Sequence, residues 1–126
     1  MSHYSLREED AQRYTDEIRS IASVAASALV TCDGLVLGKY SREGTTLSSS
    51  LFAATCAAAL ASADAACGSV GVGRPSMVIV AAADSTILIV SAGGAVLIAA
   101  VIDKSGDLST VQGQLLDIAT RIGGEV

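Results

Sequence analysis

Residues 45–67 read TTLSSSLFAATCAAALASADAAC, a run of small apolar and hydroxyl side chains in which Asp64 is the only charge. Alanine and leucine fill most of it, with no glycine or proline, so the stretch predicts one long helix. At 3.6 residues per turn, Leu47, Leu51, Ala54, Ala58, Ala61 and Ala65 fall on one face. Phe52, Cys56, Ala59, Leu60, Ala63 and Cys67 fall on the opposite face. Thin polar edges separate the two, with Ser48, Thr55 and Ser62 on one side and Ser50 and Asp64 on the other. A surface helix needs one apolar stripe and a wet back, whereas this helix has two apolar faces and must be covered twice. One cover is a sheet within the same chain, and in a chain this short the second is expected from another chain. A membrane span is disfavoured: alanine and serine supply little transfer free energy, Asp64 lies inside the run, and Lys or Arg anchors flank it poorly.

The composition points the same way. The 126 residues fit a single domain large enough to bury its own core. Hydrophobic residues make up 51% and charged residues 17%, which leaves little polar surface to cover a monomer, since soluble domains carry roughly 25% charge. The net charge of −5 offers no basic patch for a phosphate backbone, so nucleic acid is not an expected partner. Cys32, Cys56 and Cys67 form no CxxC pair and have no metal-ligand spacing with His3, the one histidine, so no metal is expected. Cys56 and Cys67 share a helix face but stand about 16 Å apart along it, beyond disulfide reach. All three read as small buried hydrophobes in a reducing compartment. The first residues, MSHYSLREEDAQ, are polar and acidic where a secretory leader would be basic and then apolar, and the expected location is the cytoplasm.

Around the long helix the chain alternates between two patterns. Ser5-Leu6-Arg7-Glu8 has the form of a capping box, and Ala11, Tyr14, Ile18 and Ile21 recur behind it as a helix stripe. Glu9 with Arg13, and Asp16 with Arg19, are candidate surface pairs of small energetic weight. Residues 24–32 and 35–40 read as two strands joined by a tight Asp33-Gly34 turn, and neither alternates cleanly, so both sheet faces are expected to be covered. Arg42 and Glu43 then read as solvated loop charges, and a Thr or Ser cap is expected among residues 45–49. Gly71-Val72-Gly73 is a linker turn and no dinucleotide fingerprint, because it follows a helix and opens a strand. Residues 77–82, 86–90 and 95–102 form three β-branched, nearly uncharged segments broken at Ala83-Asp84-Ser85 and Ala92-Gly93-Gly94, an antiparallel meander. The last helix carries Leu108, Val111, Leu115, Ile118 and Ile122 as its stripe, with capping-box spacing at Ser109 and Gln112 and a close at Gly123-Gly124. Gly113 inside it is costly unless another backbone approaches. The expected fold is an α+β sandwich in the order α-β-β-α-β-β-β-α. Its five-stranded antiparallel sheet has the first and last helices on one face and the middle helix on the other.

No active site assembles from these residues. The sole histidine is at position 3, no GxxxxGK[ST] loop is present, and Asp33, Asp84, Asp103 and Asp107 sit singly in turns. Neither a catalytic residue nor a cofactor is expected. Asp64 either meets a cation of a partner or points to water. Tyr40 and Phe52 are too few to stack nucleic-acid bases.

The element order, the Asp33-Gly34-Leu35-Val36-Leu37 hairpin and the alanine-rich second helix resemble the Roadblock (dynein light chain type) domain. So does the run from Ile87-Leu88-Ile89-Val90 through Gly94-Ala95-Val96-Leu97-Ile98-Ala99 to Gly106-Asp107-Leu108-Ser109-Thr110-Val111. The resemblance extends over nearly the whole chain, a single Roadblock-like domain across residues 1–126. It rests on apolar and turn patterns; the connector at residues 42–50 and the scarcity of charge in the second helix depart from the family pattern. The resemblance implies a non-enzymatic protein that pairs with itself or a Roadblock paralogue and regulates or scaffolds a Ras-like small GTPase. It also implies that Met77, Val78, Ile79, Val80 and Ala81 form the edge strand at the dimer axis beside the paired second helices.

Large side chains fill a helix-to-sheet gap and small ones let two helices approach, which assigns Phe52, Cys56, Leu60 and Cys67 to the sheet. Leu47, Leu51, Ala54, Thr55, Ala58, Ala61, Ser62 and Ala65 are then assigned to the partner. Two other function classes fit the same fold. A small-molecule sensing domain would need a cavity lined by convergent polar groups between the middle helix and the sheet, of which the sequence gives no sign. A structural self-assembling subunit would form open-ended oligomers.

Overall fold

Two tight reversals set the sheet. Gly34 at φ 93°, Gly93 at φ 89° and Gly94 at φ 87° occupy the left-handed region that other residues avoid, and each sits at a hairpin corner. In the computed structural model, which describes residues 6–125, the chain runs α1 (Glu8–Arg19), β1 (Val24–Thr31), β2 (Val36–Ser41), α2 (Ser49–Ser69), β3 (Met77–Ala81), β4 (Ser85–Ala92), β5 (Val96–Asp103) and α3 (Leu108–Glu125). All strand pairs are antiparallel and the order across the sheet is β2-β1-β5-β4-β3. The expected α+β sandwich is therefore present.

Strand alternation divides the core. Leu29, Leu88, Val90, Ile98 and Ala100 point to the face covered by α1 and α3, where Tyr14, Ile18, Leu115 and Ile122 meet them. Val30, Ile89, Leu97 and Ala99 point to the other face, where Ala53, Cys56, Ala57 and Leu60 of α2 meet them. Both sides of the central strands are thus dry, which is why β1 and β5 read as continuous apolar runs. Each large aliphatic side chain buried this way contributes about 1.5–3 kcal/mol. The long helix is apolar and long enough to cross a membrane by length and composition, yet in this fold it lies along the sheet.

The helix ends depart from the expected signals. Arg7, not Ser5, is the N-cap of α1, no side chain caps it, and Ser5 and His3 lie outside the described residues. The first turn instead carries Glu8, Glu9 and Asp10, which oppose the positive helix end. The long helix starts at Ser49 rather than Thr45, so Leu47 lies ahead of it in the connector. Ser48 is the cap by position but makes no capping hydrogen bond. α3 begins one residue before the Ser109 of the expected capping box; Asp107 precedes it, and the Thr110 hydroxyl donates to the Asp107 carboxylate at 2.7 Å.

Gly123 and Gly124 do not close α3, which continues to Glu125. A Cβ at Gly123 would lie 3.3 Å from Cα of Gly93, so this glycine is the place where helix and hairpin backbones touch. At Gly113 no other backbone approaches and a Cβ would face open space, so that glycine carries its helix cost without a packing gain. The surface pairs also differ: Arg13 binds Asp10 at 3.1 Å and Glu125 at 3.4 Å, Glu9 accepts from Arg7, and Asp16 accepts from Gln12. Arg121 binds Glu17 and the Tyr14 hydroxyl binds Glu125, which ties α3 to α1.

Candidate partner face and adjoining cleft

With Ala53, Cys56, Ala57 and Leu60 turned to the sheet, the opposite side of α2 is left bare in the protomer. Leu51, at 63% exposed, stands at its start, and Ala54, Thr55, Ala58, Ala61, Ser62 and Ala65 continue it toward the C-terminus. The Thr55 hydroxyl donates to the Leu51 carbonyl at 2.8 Å, so this polar group is satisfied within the helix. Leu47 is half-buried and belongs to no helix face. Phe52 and Cys67 are half-buried at the margins of the sheet-facing stripe.

The sheet leaves a second surface uncovered, an open edge. Among the described residues β3 pairs only with β4, so the outer backbone groups of Met77, Val78, Ile79, Val80 and Ala81 have no neighbouring strand there. Ile79 is 49% exposed and Val80 41%, while Met77 and Val78 are half-buried. The opposite edge, β2, carries Lys39, a charge of the kind that guards exposed edges against pairing. β3 has no such guard; its sequence is MVIVA.

Where the second half of α2 passes over the ends of the strands, a cleft of about 400 Å³ opens. Ala57, Leu60, Ala61 and Asp64 of α2 form one wall, Leu97 and Ser91 the sheet side, and Cys32, Gly93 and Gly94 the hairpin side. Arg74 and Pro75, in the α2–β3 connection, line its rim. Arg74 reaches Asp64 at 3.4 and 3.5 Å, so the carboxylate that the sequence left between a partner and water meets a cation of its own chain. Arg42 is likewise no free loop charge: it binds Asp103 at 2.7 Å.

Neither Cys56 nor Cys32 is set up as a nucleophile. Burial pushes the Cys56 thiol up to about 11. Burial and the nearby Asp33 charge raise that of Cys32, whose Sγ lies 3.2 Å from the Gly94 carbonyl and donates to it. Among the described residues no group of three or more His, Cys, Asp or Glu side chains could hold a metal ion.

Solved structures of the same shape are known. MglB of Myxococcus xanthus superposes with a TM-score of 0.86 at 13% identity, covering 98% of this chain and 92% of that one. An MglB with a tetrameric arrangement gives 0.84 at 18% identity over 96% and 90% of the two chains. A Roadblock/LC7 domain from Streptomyces avermitilis gives 0.74 at 17% identity over 85% and 88%. The chain has the Roadblock/LC7 fold. No protein-family profile matches its sequence, and no curated protein is close enough to it in sequence to count as a relative.

Within this Roadblock fold, three features escaped the sequence. Ala53 and Ala57 complete the sheet-facing stripe of α2; their signal was the 53-56-57-60 spacing, hidden because alanine also fills the other face. Arg74 directly follows the Gly71-Val72-Gly73 turn and carries no motif of its own, although it is the nearest cation following Asp64 in the chain. The cleft has no local signal at all, since four separate segments build it.

Proposed function

We propose that this chain is a non-enzymatic, cytoplasmic adaptor that dimerises through α2 and β3, with itself or with a Roadblock paralogue, and regulates or scaffolds a Ras-like small GTPase. The observation that carries the reading is a pair of unsatisfied surfaces: the bare small-residue side of α2 and the unguarded edge of β3. Either alone is a liability in water, and one partner copy covers both. The MglB structure with a tetrameric arrangement supports self-association in proteins of this shape.

The spacing of the α2 face favours an antiparallel pair. Leu51 and Ala65 lie equally far from Ala58, so a two-fold axis at Ala58 sets the large Leu51 of one copy against the small Ala65 of the other. A parallel pair would oppose Leu51 to Leu51 and leave a gap at Ala65.

The test is reconstitution with the Ras-like GTPases encoded by the same organism. One of them, loaded with GTP, should co-elute with the purified protein, and the protein alone should hydrolyse no GTP. Binding to none of them, or GTP turnover by the chain alone, would overturn the adaptor reading. Open-ended oligomers by light scattering would point instead to a structural self-assembling subunit.

A further inference from the structure

The cleft under the second half of α2 shares Ala61 with the proposed partner face, but its charged rim is chemistry of a different kind. Its volume of about 400 Å³ lies in the range of small-ligand sites, roughly 300–1,000 Å³. The inner lining is apolar: Ala57 and Leu60 from the helix and Leu97 from the sheet are all buried. The rim carries two opposite charges side by side, Asp64 from α2 and Arg74 from the following connection.

These two are loosely joined. At 3.4 and 3.5 Å their contacts are well beyond the roughly 2.7–2.9 Å of a strong charge-assisted hydrogen bond, and the Arg74 side chain is 79% exposed. Each charge therefore keeps capacity for a better partner. Any ligand carrying a single charge here would satisfy one group and be repelled by its neighbour. A ligand carrying both charges on adjacent atoms satisfies both.

We propose that this cleft binds a free α-amino acid with an apolar side chain: its carboxylate on Arg74, its ammonium on Asp64, and its side chain against Ala57, Leu60 and Leu97. Arg74 suits the carboxylate because the guanidinium fork can donate two parallel hydrogen bonds. The Ser91 hydroxyl and the Cys32 thiol complete the polar lining. The thiol stays protonated at neutral pH, so no covalent step is involved.

The experiment is a titration of the isotopically labelled full chain, followed by amide chemical shifts, with four probes: leucine, phenylalanine, 4-methylpentanoate and 3-methylbutylamine. The last two are leucine without its ammonium and leucine without its carboxylate. Leucine or phenylalanine should shift the amides of residues 57–64, 74 and 91–97 saturably, and the two truncated probes should bind at least about tenfold more weakly. Arg74→Gln and Asp64→Asn, both at the exposed rim, should each weaken the amino acid by a similar factor while leaving the rest of the spectrum in place. No saturable shift with either amino acid would overturn the proposal. So would equal binding of 4-methylpentanoate, which would mark the cleft as a simple anion site. The titration is done on the isolated protein, so failure to find a GTPase partner leaves its outcome unaffected.

Discussion

A size swap across the proposed dimer axis examines the partner face directly. Full burial of a leucine is worth about 1.5–3 kcal/mol, and Leu51 still has 63% of its surface to lose, so pairing should draw roughly 1–2 kcal/mol from each copy. A two-fold dimer contains the contact twice. Leu51→Ala should therefore weaken association by roughly 2–4 kcal/mol, a rise in Kd of about 30-fold to several hundred-fold. Ala65→Leu alone sets leucine against Leu51 and should cost a comparable amount through overpacking, about 1–3 kcal/mol per contact. The double variant Leu51→Ala/Ala65→Leu moves the large side chain to the other end of the same contact. It should recover most of the affinity, a coupling of opposite sign to the single effects. Sedimentation equilibrium over a dilution series gives the constants, and circular dichroism checks that each protomer remains folded. A double variant as weak as the sum of its parents would refute the antiparallel register, and unchanged association of both single variants would remove α2 from the interface.

Three further outcomes follow from the protomer itself. Gly113→Ala should stabilise α3 by about 0.5–1 kcal/mol, since a Cβ there meets open space, whereas Gly123→Ala sets a methyl 3.3 Å from the Gly93 backbone and should lose that gain or reverse it. Urea unfolding at fixed protein concentration that stabilised both variants equally would contradict the described approach of α3 to the β4–β5 hairpin. Iodoacetamide on the native protein should label the exposed Cys32 and spare Cys56, whose thiol is buried and raised to about 11; stoichiometric labelling of Cys56 without unfolding would be inconsistent with its place under α2. Asp103 is held down to about 2 by the Ser105 hydroxyl and then the Arg42 guanidinium. Because its folded value is depressed, its contribution is complete above the ordinary carboxylate value of about 4 and is lost as pH falls toward 2. A carboxyl titration by NMR with a midpoint near 4 would contradict that arrangement, and Asp103→Asn should remove this part of the acid dependence.

The layers of the fold were legible because each element carries its own period. Ala11, Tyr14 and Ile18, and Val111, Leu115, Ile118 and Ile122, mark two one-sided helices, and these share a sheet face as expected. The turns were legible because Asp33-Gly34 and Gly93-Gly94 leave few alternatives to reversal. Helix ends were not, since α2 begins in a run of Thr and Ser where every position resembles a cap, and Leu47 was carried onto the helix as a result. The role of Gly123 was hidden for another reason. A glycine pair near a helix end signals termination locally, and only the tertiary approach of Gly93 shows that the helix runs through it. On α2, a chain built mostly of alanine has too little size contrast for its inner stripe to be read in full. Leu60 and Cys56 gave the direction, while Ala53 and Ala57 became visible only against Ala28, Val30 and Leu97.

In the proposed function a second chain covers the bare side of α2 and the edge of β3. Multi-angle light scattering of the purified protein beside Ala58→Glu tests this most directly, because the substitution sets two like charges against each other at the axis. The wild-type protein should show twice the protomer mass, and the variant the protomer mass or loss of solubility. A wild-type protein at the protomer mass at every concentration, or a variant that keeps the doubled mass, would contradict it.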